Sequence, residues 1–231
     1  MPIPTSVYAE MTPNPEVMKF VADRDLLPGG HQIEFRSPQE ASVCSALATE
    51  LFHFPFVTSV FISGPFVSVT KDSALGWEMI VQQLREYIRE WLMEHPVAVD
   101  MEALQAAWES GQLGAGHATE HGSGGAAGGA AGGAAGGAAF STATGTGFIE
   151  DNDIVSSPFD DAIRHLLDEF VRPAVEQDGG AIDFKAFKDG TVYVRMRGAC
   201  SGCPSSMQTL KGGIEQLLTA KIPEVKEVVA A

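Results

Sequence analysis

A run rich in glycine and alanine near the middle of this 231-residue chain limits what it can fold into. Fourteen of the 25 glycines lie between Gly111 and Gly147. Because glycine loses the most conformational freedom on folding and alanine buries little area, this run cannot form a hydrophobic core. Long loops are rare inside compact domains, so we predict a flexible linker over residues 101–149. The chain is therefore expected to form two small domains, residues 1–100 and 150–231.

The charge balance and the amino-terminal residues argue against several function classes. Fifteen basic and 30 acidic residues give a formal net charge of −15, which leaves no basic surface for a nucleic-acid backbone. No run approaches the roughly 20 apolar residues of a membrane span. Residues 1–5 show no basic stretch followed by an apolar core, so we expect no secretory signal. Three cysteines are too few for a disulfide scaffold, and the expected location is the reducing cytoplasm.

Cap residues and hydrophobic periodicity divide the amino-terminal half into short elements. Ser37-Pro38-Gln39-Glu40 matches a helix-capping box with proline at the first helical position. Residues 57–62 and 66–70 are predicted to be the two strands of a hairpin. An apolar stripe predicts a helix over about residues 75–94, and residues 33–35 are a further candidate strand.

The carboxyl-terminal half shows the same mixture of helices and strands. A helix is predicted to begin at Ser157-Pro158, and Pro173 near its end predicts a bend or a boundary. Apolar residues at helical spacing over residues 207–218 predict a second helix. The predicted strands are residues 182–186, 192–196 and 225–229. Together the two halves predict an α/β (α+β) protein in which each domain packs a short sheet against helices.

Cys200 and Cys203 form a C-x-x-C pair on the loop between a predicted strand and a predicted helix. Thiolates are soft ligands for iron and zinc, but such sites use about four ligands. The third cysteine, Cys44, lies far upstream. The pair therefore either performs thiol–disulfide exchange or shares a metal site with a second chain. A lone C-x-x-C is a weak motif, so redox, zinc and iron–sulfur roles all stay open at this point.

The neighbours of the pair favour negatively charged sulfur. Pro204-Ser205-Ser206 starts the following helix, which places Cys203 beside the amide groups of a helix N-terminus and favours its thiolate. Arg195 and Arg197 are expected to add positive charge if the strand delivers them to the same edge. Gly198 permits close backbone approach to the sulfur atoms.

Four segments around the pair are more specific than the pair itself. They are Asp178-Gly179-Gly180, Val192-Tyr193-Val194-Arg195, Gly198-Ala199-Cys200-Ser201-Gly202-Cys203-Pro204-Ser205-Ser206 and Ile222-Pro223-Glu224-Val225. Over about residues 158–230 the chain thereby resembles the carboxyl-terminal domain of NifU, the Nfu domain. The amino-terminal half is similar to the Nfu amino-terminal domain. The segments shared there are Thr12-Pro13-Asn14-Pro15, Leu51-Phe52, Val57-Thr58-Ser59-Val60-Phe61 and Phe66-Val67-Ser68-Val69-Thr70-Lys71.

This resemblance implies an iron–sulfur cluster assembly scaffold or carrier rather than an enzyme. The family's two ligands map onto Cys200 and Cys203, which would hold a [4Fe-4S] cluster (iron) between two protomers of a homodimer. The implied partners are upstream cluster-assembly proteins, which supply the cluster, and apo iron–sulfur target proteins, which receive it. No nucleic-acid or membrane partner is expected. The alternative is a dithiol/disulfide oxidoreductase that uses the same C-x-x-C.

Two further candidate sites have simpler explanations. Cys44 lies on the apolar stripe of a predicted helix and is expected to be a small core residue rather than a ligand. Residues 117–121 match the H-x-x-E-H zinc-protease pattern, which needs a helix, whereas here it lies between glycines in the predicted linker. We interpret that match as a coincidence. The sequence shows no Ser/His/Asp set, phosphate-binding loop or pair of acid–base carboxylates, so an enzyme is not expected.

Overall fold

A computed structural model describes residues 4–113, 118–119, 157–201 and 204–230. These residues form two units, each with its own sheet, helices and core. The predicted α+β class with two small domains is therefore confirmed. Most of the predicted linker, residues 114–117 and 120–149, lies outside the described residues. Within the described ranges, no helix has both the length and the apolar character needed to cross a membrane.

An antiparallel sheet forms the frame of the amino-terminal domain. Its strands are β1 (Val7–Met11), β2 (Val17–Ala22), β3 (Leu27–Phe35), β4 (Val57–Gly64), β5 (Phe66–Lys71) and β6 (Ala118–Thr119). They are arranged in the order β1-β2-β5-β4-β3-β6. Side chains alternate between the two faces of a strand, and in β4 Val60 and Ile62 enter the main core while Phe61 joins a separate cluster. The β4–β5 hairpin is as predicted, whereas β1 and β2 are not foreseen by the sequence analysis.

Helices supply the other layer of this domain. They are α1 (Pro38–Ala41), α2 (Ala46–Leu51), α3 (Trp77–Glu94) and α4 (Met101–Glu109). The predicted cap of α1 is present, since the hydroxyl of Ser37 accepts a hydrogen bond from the N–H of Glu40 at 3.2 Å. The predicted stripe of α3 packs into the core, and Leu84 and Ile88 on it are fully buried. Burial of this amphipathic face, rather than helix propensity, stabilises α3.

The first part of the predicted linker is structured. The carboxylate of Asp100 caps α4 by accepting hydrogen bonds from two N–H groups of the first turn at 3.0 and 3.1 Å. Leu104 on this helix and Leu113 beyond it are buried in the amino-terminal core. Residues 101–113 are thus helix and core packing rather than linker, because this stretch still carries apolar side chains at helical spacing.

A smaller sheet forms the frame of the carboxyl-terminal domain. Its strands are β7 (Gly180–Lys188), β8 (Thr191–Gly198) and β9 (Glu227–Ala230). β7 pairs antiparallel with β8, and β9 pairs parallel with β8 on its other side. The helices are α5 (Asp160–Leu166), α6 (Arg172–Gln177) and α7 (Pro204–Lys221). Ile163 of α5, Val194 of β8 and Leu218 of α7 belong to one buried core.

The helical winding changes beside Pro173, where the sequence predicts a bend or a boundary. A π-helical turn, Leu167–Val171, joins α5 to α6, and Pro173 lies at the start of α6. Proline has no N–H, and its ring crowds the carbonyl group four residues earlier. The missing hydrogen bond and this crowding account for the wider winding at this place.

The two sheets meet on faces that do not belong to the main cores. Strands β4 and β5 of the amino-terminal domain contact β8 of the carboxyl-terminal domain. Phe61 and Phe66 pack with Ala181 in a buried cluster that is separate from both domain cores. The domains therefore contact each other directly, which the composition of the linker does not predict.

Polar side chains of the amino-terminal domain complete this contact. Lys19 donates through Nζ to the backbone oxygens of Glu176 at 3.2 Å and Gln177 at 3.0 Å. These oxygens lie at the carboxyl end of α6, where a cation also interacts favourably with the helix dipole. Ser68 Oγ donates to the backbone oxygen of Gly179 at 2.8 Å. Both side chains are buried, so the domain contact is specific as well as apolar.

Candidate functional site

Cys200 lies on the short loop between the end of β8 and the start of α7. The N–H and the hydroxyl of Ser201 both donate to the backbone oxygen of Gly198, at 3.0 and 2.8 Å, and close a tight turn. The N–H of Ala199 donates to the backbone oxygen of Gly179 at 3.2 Å, which ties the loop to the residues before β7. The predicted order of hairpin, cysteine loop and helix is confirmed.

The second predicted ligand, Cys203, lies outside the described residues together with Gly202. Helix α7 begins at Pro204, so Cys203 directly precedes a helix N-terminus, as the sequence analysis predicts. Free amide groups and the dipole at such an end favour negative charge. The role of Cys203 as a ligand therefore stays a prediction.

Two glycines allow the loop to approach the start of the hairpin. Gly198 has a φ of +62°, and a Cβ atom there would lie 2.7 Å from the backbone oxygen of Gly179 and 3.0 Å from Phe61. At Gly180, a Cβ atom would lie 2.7 Å from the sulfur of Cys200. Real Cβ atoms do not come so close to other heavy atoms, so both positions require glycine for this loop geometry.

The substitution Gly198→Ala is expected to lower the free energy of unfolding by about 1–3 kcal/mol, because it adds a strained backbone conformation and a collision with a backbone oxygen. Chemical denaturation of the full chain measures the change. Gly212→Ala is the matched control, since Gly212 lies in α7 with open space around it and alanine there should stabilise by about 0.5–1 kcal/mol. Equal effects of the two substitutions would contradict the requirement for glycine at Gly198.

The Cys200 side chain is buried, with 6% of its surface exposed. Burial, with a smaller contribution from the negative charge of Asp178, raises the pKa of Cys200 to about 12. A thiol with this pKa is protonated at neutral pH, so metal binding would release its proton. The expected preference for thiolate at the helix N-terminus therefore does not extend to Cys200 in this conformation.

A cavity of about 560 Å³ borders Cys200. Its lining is mainly apolar and includes Phe170 before α6 and Leu210 and Leu217 on α7, together with Pro13 of the amino-terminal domain. Phe170 is half exposed, which is unusual for a large aromatic side chain. The cysteine loop thus lies at the edge of an apolar space to which both domains contribute.

The amino-terminal domain reaches the loop through Asn14. Its Nδ2 group donates to the backbone oxygens of Ala199 at 3.2 Å and Ser201 at 3.3 Å. Its Oδ1 atom accepts from the N–H of Glu16 at 3.0 Å, which fixes the orientation of the amide. Because Asn14 bonds to both neighbours of Cys200, it holds the loop on each side of the sulfur.

Arg197 is a buried charge at the domain contact. It is 1% exposed, forms an ion pair with Asp183 and donates to the backbone oxygen of Gln32 at 3.5 Å. Burial lowers the pKa of Arg197, and Asp183 opposes this effect. The sequence analysis expects Arg197 and Arg195 to add positive charge beside the cysteines. For Arg197 this is corrected, because Asp183 neutralises its charge at the contact with the amino-terminal domain.

The other two candidates from the sequence, Cys44 and the H-x-x-E-H match, do not form part of this site in the described residues. Cys44 is a buried core residue, as predicted, and burial raises its pKa to about 11. The histidines and the glutamate of the H-x-x-E-H match lie outside the described residues. The sequence analysis missed Asn14 and Asp183 as partners of the loop and of Arg197. The available signal for Asn14 was the segment Thr12-Pro13-Asn14-Pro15, which polar and turn-forming residues dominate.

Fold and loop together define a class: a two-domain α+β protein whose thiol-bearing loop lies between a β-hairpin and a helix, at the domain contact. Comparison with known families agrees with this description. The profile of the family described as "Scaffold protein Nfu/NifU N terminal" matches residues 7–95. The profile described as "NifU-like domain" matches residues 163–229.

Relatives with known names match nearly the whole chain. A human protein named "NFU1 iron-sulfur cluster scaffold homolog, mitochondrial" is 30% identical over 96% of this chain and 70% of its own length. A NifU-like protein of Schizosaccharomyces pombe is 30% identical over 96% of this chain and 71% of its own length. A Drosophila willistoni protein with the same name as the human one is also 30% identical over 96% of this chain. The chain spans only 62% of the length of that fly relative.

The chain belongs to the Nfu/NifU family of scaffold proteins. One expectation fails in this comparison. The sequence analysis places the chain in the cytoplasm, whereas the human and fly relatives carry names that place them in mitochondria. The cytoplasmic expectation rested on the missing secretory signal and the small number of cysteines, and the names of these relatives correct it.

Proposed function

We propose that this chain is an iron–sulfur cluster scaffold and carrier, and that Cys200 and Cys203 of two copies together bind one [4Fe-4S] cluster. The observation that carries the proposal is the position of Cys200, on a short loop between β8 and α7 at the edge of an apolar cavity. Family membership supports the scaffold role, and the names of the human and fly relatives describe iron–sulfur cluster scaffolds.

The number of thiols in the loop explains why two copies are needed. A [4Fe-4S] cluster uses about four ligands, and each chain offers the two cysteines of one loop. Cys200 loses its proton to solvent when its sulfur binds iron, and it regains a proton when a thiolate of the recipient replaces it. The cluster is thus cargo that passes by ligand exchange: iron–sulfur and S–H bonds form and break, and no other bond of the chain changes.

The high pKa of Cys200 bears on the alternative of dithiol exchange, because it argues against Cys200 as the attacking thiolate in this conformation. Redox-active C-x-x-C pairs lower the pKa of a cysteine so that it attacks disulfides as a thiolate. Burial does the opposite at Cys200, whose pKa is raised to about 12. A buried thiol of this kind is a poor nucleophile, so dithiol exchange would have to begin at Cys203, which lies outside the described residues.

The proposed partners are upstream assembly proteins that supply the cluster and apo iron–sulfur proteins that receive it. We assign recognition of these partners to the amino-terminal domain, which contributes no cysteine to the loop. The names of the relatives make mitochondria the proposed place of action. The proposed role involves no catalytic turnover.

The test of the shared cluster is the dependence of the oligomeric state on iron. Full-length protein reconstituted anaerobically with iron and sulfide should be a dimer, and chelator-stripped protein should shift toward monomer. Removal of the cluster removes the iron–sulfur bonds that join the two chains. Size-exclusion chromatography with light scattering, under reducing conditions, measures both states. A monomer that retains a full [4Fe-4S] complement would overturn the shared site.

A further inference from the structure

The contact between Asn14 and the cysteine loop has a role beyond packing. We propose that Asn14 is a positioning residue: it holds the loop closed in the cluster-free protein, and the loop must leave Asn14 before Cys200 can bind a cluster. The claim that Cys200 binds a cluster after release rests on the proposed function. The claim that Asn14 holds the loop rests on the geometry alone.

The first support is the geometry at Asn14. One amide group donates to two backbone oxygens, those of Ala199 and Ser201, which lie on either side of Cys200. The opposite end of the amide is held by the N–H of Glu16, so the side chain cannot rotate without losing that bond. Asn14 is 4% exposed, and hydrogen bonds shielded from water are costly to break without replacement.

The second support is the direction in which the loop holds Cys200. Its sulfur lies so close to Gly180 that a Cβ atom there would be 2.7 Å away. Cys200 belongs to the core of the carboxyl-terminal domain together with residues of α7 such as Ile214. A sulfur packed into one chain's own core cannot also be shared with a second chain. The loop therefore has to change conformation, and the bonds to Asn14 oppose that change.

The third support is the position of the amino-terminal domain. Pro13, next to Asn14 in sequence, lines the cavity that borders Cys200. Ser68 bonds to the backbone oxygen of Gly179, which also accepts the N–H of Ala199. The amino-terminal domain thus lies against the same loop at which the proposed shared cluster would join two copies of the chain. Release of Asn14 and approach of the second copy are linked.

The test uses amide hydrogen exchange in the cluster-free full chain. Asn14→Asp keeps the oxygen that accepts from Glu16 but replaces the donating group by an oxygen that faces two backbone oxygens. The N–H of Ala199 bonds to Gly179 across the contact between the loop and the hairpin, so it exchanges when the loop opens. Its exchange should become at least about tenfold faster, because the loss of two hydrogen bonds from Asn14 makes that opening easier. Exchange at the Glu16 amide should stay within about twofold, because its bond is retained.

Two further variants separate positioning from a general loss of structure. Asn14→Ala removes both ends of the amide, so exchange should rise at Glu16 as well as in the loop. Gln32→Met removes a side-chain hydrogen bond at another domain contact, where Gln32 donates to Glu176 at 3.0 Å, and places no second carboxylate beside Glu176. Loop exchange in Gln32→Met should stay close to that of the unmodified protein. A loop that opens equally in Gln32→Met and Asn14→Asp would overturn the role of Asn14, as would a loop unaffected by Asn14→Asp.

Cluster uptake tests the consequence for function. Asn14→Ala introduces no charge, and it should reach the same final iron content as the unmodified protein but several-fold faster, followed by visible absorbance during anaerobic reconstitution. Uptake that is slower or unchanged would overturn the requirement for loop release. If no variant binds iron, the proposed scaffold function fails instead, and hydrogen exchange still decides whether Asn14 positions the loop.

Discussion

Replacing either loop cysteine by alanine should abolish cluster binding: Cys200→Ala and Cys203→Ala are each expected to reduce bound iron and sulfide to background. Each substitution removes half of the ligands that one chain contributes to a shared cluster of about four ligands. Reconstitution under anaerobic conditions, followed by iron and sulfide analysis and absorbance spectroscopy, measures the loss. A variant that still assembles the full amount of cluster would show that the substituted cysteine is not a ligand.

Cys44→Ala is the control for this experiment, because it removes the same atom at a different place. Cys44 is 5% exposed in the amino-terminal core, and its pKa is raised to about 11. Cluster content should be unchanged, since Cys44 lies between α1 and α2 and belongs to a different core from Cys200. Loss of cluster in Cys44→Ala would mean that the ligand set is larger than the C-x-x-C pair.

The second large effect is expected at Arg197. Asp183→Ala should lower the free energy of unfolding by about 2–3 kcal/mol, because it removes one hydrogen-bonded carboxylate from a buried guanidinium group, on which the negative charge of Glu34 also acts. Only 1% of the Arg197 side chain and 11% of the Asp183 side chain are exposed, so water cannot replace the lost interaction. Urea denaturation of the full chain measures the change. A loss below about 1 kcal/mol would show that other groups already compensate the charge.

The double substitution Asp183→Leu with Arg197→Met gives the matching control. It removes both charges of this pair, and replacement of a complete buried ion pair by apolar side chains is often neutral or stabilising. Glu34, whose charge also acts on Arg197, keeps the guanidinium of Arg36 and the N–H of Gly198 as partners. Stability should recover to within about 1 kcal/mol of the unmodified chain. If the double variant is as unstable as Asp183→Ala, the loss arises from packing rather than from an unpaired charge.

Local patterns predicted most of the secondary structure. The apolar stripe of α3 and the alternation in β4 and β5 depend on residues a few positions apart, and these elements appear where expected. Strand β2 was missed because Lys19 interrupts its apolar run. That lysine is buried all the same, since its ammonium group binds the carboxyl end of α6, which local sequence does not reveal.

The candidate site was only partly predictable, because some of its contacts join residues far apart in sequence. The C-x-x-C pair and the helix after it are adjacent in sequence, so their arrangement follows from spacing alone. The bond from Asn14 to Ala199 joins residues 185 positions apart, and one sequence without an alignment gives no means to pair them. Burial of Cys200 likewise depends on tertiary packing, and its raised pKa was not expected from the position of the loop.

The way in which the domains recognise each other affects how freely the carboxyl-terminal half can vary during evolution. The side chains of Asn14, Lys19 and Ser68 all donate to backbone oxygens of that half rather than to its side chains. Every residue type has a backbone carbonyl oxygen. Substitutions at Ala199, Ser201 or Gln177 that keep the backbone conformation therefore leave these acceptors in place. Side chains at these three positions can therefore vary while the amino-terminal domain keeps its hydrogen bonds to the carboxyl-terminal half.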